Sequence, residues 1–104
     1  MALRIYSEAL QLVRSAVPVL NRITQHDGDL ARQMRRALTS IPLDIAEGEG
    51  RKNGHARLRF QTAMGSANEV RACVEVAEAL GYVDAQPALV DALDRVARTS
   101  NRLH

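Results

Sequence analysis

Residues 33–51 read QMRRALTSIPLDIAEGEGR, and their spacing decides the fold. Met34, Ala37, Leu38, Ile41 and Ile45 recur at steps of three and four, which places them on one apolar stripe of a helix. With Leu30 ahead of them, the stripe predicts a helix over about 30–47. Arg32, Arg35 and Arg36 fall on the opposite side. Pro42 stands inside the pattern; it should bend the helix and free the carbonyl of Leu38, near which the hydroxyls of Thr39 and Ser40 stand. Gly48 and Gly50 are expected to end the helix.

Working outward, the turn 49–54, EGRKNG, is basic and Gly-rich, with Asn53 a candidate cap for a third helix over about 55–80. Phe60, Ala63, Ala67, Val70, Val74 and Ala77 form its stripe, Met64 and Cys73 widen it, and Gly81 is placed to stop it. Gly65, next to Ser66 in mid-helix, costs about 1 kcal/mol of helix propensity, which suggests close backbone packing there or a polar bundle contact through Ser66, with a ligand niche the lesser reading. In the N-terminal direction, Tyr6, Leu10, Val13, Val17, Leu20 and Thr24, with Ala9, Ala16 and Ile23 beside them, predict a first helix over about 3–25. Pro18 is expected to kink or break it, and Asp29 is a candidate cap for the second helix. The last helix is expected to start at Asp84, a candidate N-cap, with Pro87 in its first turn and Leu89, Val90, Leu93, Val96, Ala97, Ser100 and Leu103 along its stripe. Four helices with short connections argue for one all-α domain over 1–104, an antiparallel up-down-up-down four-helix bundle.

The composition sets further bounds. Apolar residues make up 46% of 104, yet there is one Phe, two Tyr and no Trp, so the core is built from small and aliphatic side chains. Such cores pack helices closely and are often extended by oligomerisation. The net charge is only +2, but it is unevenly spread. Residues 32–59 carry seven Lys/Arg against three acids, and residues 60–94 carry Arg71 against six. A basic face of this kind can meet nucleic acid or the acidic surface of a second copy. The single Cys73 excludes an intrachain disulfide. With no apolar run of membrane-span length and no signal-peptide pattern, the expected location is cytoplasmic, with no membrane partner.

Chemistry is thinly signalled. Asp44 and Glu47 share a helix face, but the Glu-x-x-His pattern that usually completes a bundle metal site is missing. Gly48-Glu49-Gly50-Arg51-Lys52 lacks the strand and the Gly-Lys-Ser/Thr ending of a phosphate loop. His26, His55 and His104 are scattered. An enzyme or metal protein using Asp44, Glu47 and His55 is therefore a third reading, and no cofactor or metal is expected. The basic residues Arg32, Arg35, Arg36, Arg51, Lys52, Arg57 and Arg59 are the candidate nucleic-acid contacts. Few aromatic residues means little base stacking, so such binding should be electrostatic and salt-sensitive.

A set of ordered motifs then matches a known pattern. Gln33-x-Arg35-Arg36-Ala37, Ser40-Ile41-Pro42, Ile45-Ala46-Glu47-Gly48-x-Gly50-Arg51, Phe60, Ala63-x-Gly65-Ser66, Glu69 and Leu80-Gly81-Tyr82 together resemble the bacterial four-helix bundle protein family. That family is also called the large-subunit ribosomal RNA intervening sequence protein family, and it includes the accessory variability determinant of diversity-generating retroelements. Asp44 stands where Asn is common in it. The resemblance implies a homo-oligomer, with a pentameric barrel the known arrangement, and no enzymatic activity. For the retroelement branch it implies nucleic-acid binding and a reverse transcriptase partner. Arg35, Arg36 and Arg51 are the matched basic positions. Pro42, Glu47, Gly48, Gly50, Gly65, Ser66 and Glu69 are candidate structural or oligomer positions. The resulting expectation is a non-enzymatic accessory or scaffold protein that touches RNA or DNA. The alternative is a purely structural homo-oligomer or protein-interaction module.

Overall fold

The computed structural model describes residues 3–50 and 54–103. Four helices follow in order: α1 (Leu3–His26), α2 (Gly28–Glu49), α3 (Gly54–Ala79) and α4 (Pro87–Leu103). A single residue, Asp27, joins α1 to α2, and its conformation explains how so short a link suffices. Its backbone is extended (φ −154°, ψ 96°), and its carboxylate accepts the Leu30 amide at 3.0 Å. That is an N-cap, satisfying one of the amides a helix start leaves without a partner. The cap is thus Asp27 and not Asp29; Asp29 instead sits inside the first turn, where a negative charge suits the helix dipole, and pairs with Arg32.

The end of α3 is set by Gly81. At φ 79° it occupies the left-handed region that favours glycine. Its amide reaches the Glu78 carbonyl (3.0 Å), and that of Tyr82 reaches Ala77 (2.9 Å), the paired bonds of a Schellman ending. Helix α4 starts at Pro87, one residue after Gln86, whose carbonyl accepts the Val90 amide. Pro87 loses nothing as first helical residue. Asp84 lies outside the helix and does not cap it. The Asn53 cap expected for α3 lies outside the described residues.

Helix α3 has 26 residues, about 39 Å at 1.5 Å per residue, and the molecule's long axis is 43 Å. Successive helices therefore return alongside one another, and α1–α2, α2–α3, α3–α4 and α1–α4 all pack together in a ring. The core inside that ring is aliphatic and Ala-rich. Leu12, Ile23, Met34, Ile41, Ile45, Val70, Val74 and Leu93 are among its fully buried side chains, with Ala9, Ala16, Ala63, Ala67 and Ala77 between them. Burying each of the larger ones contributes about 1.5–3 kcal/mol. Cys73 is buried too, and desolvation, then the nearby Glu69 charge, pushes its thiol pKa up.

The stripes expected for α2 and α3 are the buried ones, apart from half-buried Leu30 and Met64. In α1 the buried face is rotated. Ile5, Ala9, Leu12, Ala16, Val19, Leu20 and Ile23 face inward, whereas Tyr6, Leu10 and Val13 lie at the edge and Val17 is 42% exposed. Apolar residues cover a broad arc of this helix, and only the positions of α2 and α4 select which part is covered. Neither proline breaks its helix: α1 is continuous through exposed Pro18 and α2 through buried Pro42. Each proline removes one backbone bond, while the packed face holds the helix on both sides. Near Pro42 the hydroxyls serve other carbonyls than that of Leu38: Thr39 donates to Arg35 and Ser40 to Ala37.

Candidate functional site

Along α2, positions 32, 35, 36, 39 and 43 share the face opposite Met34, Ala37, Ile41 and Ile45. Arg32, Arg35, Arg36, Thr39, Ser40 and Leu43 line an open groove of about 460 Å³ there. Arg35 and Arg36 make no ion pair among the described residues, and Arg32 pairs only with exposed Asp29, one turn back. Leu43, 62% exposed, gives the groove an apolar end. The inner wall is held by a polar contact between helices, the Ser40 and Ser66 hydroxyls 2.6 Å apart. Ser40 has one proton, so where it donates to Ala37 it accepts from Ser66. The expected polar role of Ser66 is thus realised within the chain.

The remaining basic candidates separate. Arg57 is exposed on α3. Arg59 is half-buried and braces α3 against α2, reaching Asp44 at 3.5 Å and Glu47 at 3.9 Å. Its charge is therefore partly spent within the bundle. Arg51 and Lys52 lie outside the described residues. Sequence spacing does not show the Arg59 brace, because the pairing joins residues on different helices.

Asp44, opposite Arg59, is buried. Its carboxyl titrates above its ordinary value, chiefly through desolvation, with Arg59 opposing and the Glu47 charge adding. A raised acid pKa means the ionised form is less favourable in the fold than in the unfolded chain. That unfavourable contribution is present at neutral pH and vanishes as pH falls through the raised value towards 3.8. Asp44→Asn is therefore expected to raise stability at pH 7 and to lose the gain by about pH 4. Urea unfolding midpoints of both proteins at the two pH values check this; a gain that grows on acidification contradicts it.

The structural candidates are also sorted by the packing. Gly48 lies inside α2 and does not end it: a Cβ there would stand 3.1 Å from the Phe60 ring. Gly50 is the C-cap, its amide on the carbonyls of Ala46 and Gly48. Glu47 contributes to the Arg59 brace, and Glu69 is exposed with no ion pair among the described residues. Gly65 is exposed, and a Cβ there would meet nothing within 4 Å. Close packing within the chain is thus not the reason for Gly65.

The first and last helices hold a second group of arginines that the spacing of α2 gives no hint of. Arg4 and Glu8 of α1 and Arg95, Arg98 and Arg102 of α4 line a groove of about 440 Å³. At the opposite end of α1, His26 stacks on Tyr82 (centroids 5.1 Å apart, planes 7° apart) and the Tyr82 hydroxyl donates to Asp27 at 3.3 Å, tying two turns together. Among the described residues no group of three His, Cys, Asp or Glu converges as metal ligands, and no helix is long and apolar enough to cross a membrane.

A family model described as 23S rRNA-intervening sequence protein matches residues 1–103. No curated protein and no solved structure matches the chain.

Proposed function

This chain belongs to the 23S rRNA-intervening sequence protein family, and from that premise we propose that it is a non-enzymatic, self-associating accessory or scaffold protein. In this reading it holds the phosphate backbone of RNA or DNA on the outer face of α2. The observation that carries it is the groove where Arg35 and Arg36, without acidic partners among the described residues, stand beside Arg32. Guanidinium groups suit bidentate contacts to phosphate oxygens. No aromatic ring is among the residues that line this groove, so it offers bases no stacking platform. The binding is therefore electrostatic and weakly sequence-specific. A reverse transcriptase is the partner protein in the retroelement branch the sequence resembles, and for this chain it is part of the same proposal.

Gel filtration with light scattering, read at 260 and 280 nm in low and high salt, tests the reading. With no Trp and two Tyr the protein absorbs weakly, so co-purified nucleic acid dominates at 260 nm. The expected result is an assembly, five copies of the 11.4 kDa chain in the arrangement the resemblance implies, carrying nucleic acid that salt removes. A protein free of nucleic acid at both salts, and unable to bind added RNA, contradicts it.

A second reading, a structural homo-oligomer, is favoured by the outer face of α3. Leu58, Thr62, Gly65, Glu69, Ala72, Val76 and Ala79 alternate by four and three, and all are exposed, Leu58 to 56% and Val76 to 46%. This second seam runs opposite the core seam of the same helix. Glycine in a helix interior costs about 1 kcal/mol relative to alanine, and Gly65 has free space around it. Gly65→Ala therefore stabilises an isolated bundle by about 1 kcal/mol. If another copy's backbone lies on Gly65, the same change weakens the assembly instead. Thermal melts and light scattering on the one variant separate the two.

A further inference from the structure

We infer that the groove between α1 and α4 is a second phosphate-backbone site for nucleic acid, separate from the α2 face. This rests on the nucleic-acid reading above and extends it to a different side of the bundle. Because the packed pairs form a ring, α4 lies diagonally across from α2, so the two arginine groups cannot belong to one surface patch.

Arg95, Arg98 and Arg102 are spaced by three and four along α4 and line the groove together with Arg4 of α1. Seven residues of helix extend about 10 Å, so the guanidinium groups form a row and not a point. Glu8 is the single carboxylate in the lining. None of the four arginines makes an ion pair among the described residues. The acid next to them in sequence, Asp94, is taken from the other side, by Arg71 of α3 at 2.7 Å. The fold thus leaves four cations together beside one carboxylate.

The simplest alternative is that these arginines serve the helix dipole. Cations do favour a helix C-terminus, but the effect fades within the last turn. It accounts for Arg102, which is also held by the Thr99 hydroxyl at 3.3 Å. It does not account for Arg95, two turns earlier. It works against Arg4, which lies in the first turn of α1, where a positive charge is disfavoured and no residue is acidic; Glu8, one turn on, is the lone carboxylate beside all four arginines. An external anion resolves this cost.

The shape and chemistry select the kind of anion. The groove is open at the surface and lined by no aromatic ring, so it offers bases nothing to stack on. A row of guanidinium forks in an open trough matches successive phosphates of a nucleic-acid backbone.

The test uses the full chain and a 16-base-pair RNA duplex of mixed sequence. Fluorescence anisotropy against salt is compared for wild type, for Arg95→Gln with Arg98→Gln and Arg102→Gln, and for Arg32→Gln with Arg35→Gln and Arg36→Gln. Neutralising the α4 row is expected to weaken binding at least tenfold near 0.1 M salt and to lower the log–log salt slope by about 2–3. The corresponding lysine variants, which keep the charge, should retain the slope. In wild type, and in the α2 variant at low salt, bound RNA should protect Arg95, Arg98 and Arg102 from phenylglyoxal, read by mass spectrometry. Protection mapped on wild type does not depend on any variant folding. If the α4 variant binds like wild type and these arginines stay reactive, the groove is no site and the α2 face stands alone. If wild type binds no RNA at all, both readings fall.

Discussion

Replacing Arg32, Arg35 and Arg36 by Glu is expected to weaken nucleic-acid binding by two to three orders of magnitude while leaving the helical content unchanged. Each phosphate neutralised by a protein cation contributes about 0.9 to the salt slope through counterion release. Three lost contacts lower the slope by about 2.7, which near 0.1 M salt corresponds to roughly 10²–10³ in affinity. Charge reversal adds repulsion that simple neutralisation does not. The fold should tolerate the change, because all three side chains are exposed and none touches the core. The Arg32–Asp29 pair is lost, a matter of a few tenths of a kcal/mol for neighbours on one helix. Anisotropy with a labelled duplex gives the affinity, and circular dichroism gives the helical content. Binding equal to wild type in a folded variant would remove the α2 face from the proposal.

The largest effect on stability is expected at Gly48. Valine at this position adds two methyl groups beyond a Cβ that already stands 3.1 Å from the Phe60 ring, and that ring is itself buried, 5% exposed, in the core between α2 and α3. Overpacking of this kind costs about 1–3 kcal/mol. Valine recovers only part of the roughly 1 kcal/mol that glycine loses in a helix interior. The net expectation for Gly48→Val is a loss of about 2 kcal/mol, roughly 10 °C in melting temperature for a domain near 100 residues. A double-mutant cycle identifies the cause. Phe60→Leu removes ring atoms facing Gly48, so the double variant should recover at least 1 kcal/mol relative to the sum of the single changes. Simple additivity would show that the ring is not what excludes the side chain.

The helices themselves were legible because periodicity is local. The buried stripes of α2 and α3 match the spacing of Met34, Ala37, Ile41 and Ile45 and of Phe60, Ala63, Ala67 and Val70. Gly81 was legible as a stop for the same reason: its left-handed conformation is a property of one residue and its neighbours. Caps are less legible. Asp27, Asp29 and Asp84 all have the right chemistry, and only backbone geometry shows that Asp27 caps α2 while Gln86 precedes α4. Gly48 has the character of a helix ending in the sequence because glycine serves two purposes, and the one it serves here, space for a ring, depends on a residue twelve positions away.

For the candidate site, the sequence alone determined that the chain is a set of four amphipathic helices with Arg32, Arg35 and Arg36 on the outer side of the second, since both follow from spacing along one helix. Only the tertiary structure decided which arc of α1 is covered, that Arg59 is engaged by Asp44 and Glu47, that Gly65 faces open space, and that Arg4 meets Arg95, Arg98 and Arg102 across one groove. Burial, ion pairing and groove formation are set by residues distant in the chain, and packing brings those together in ways that spacing does not encode.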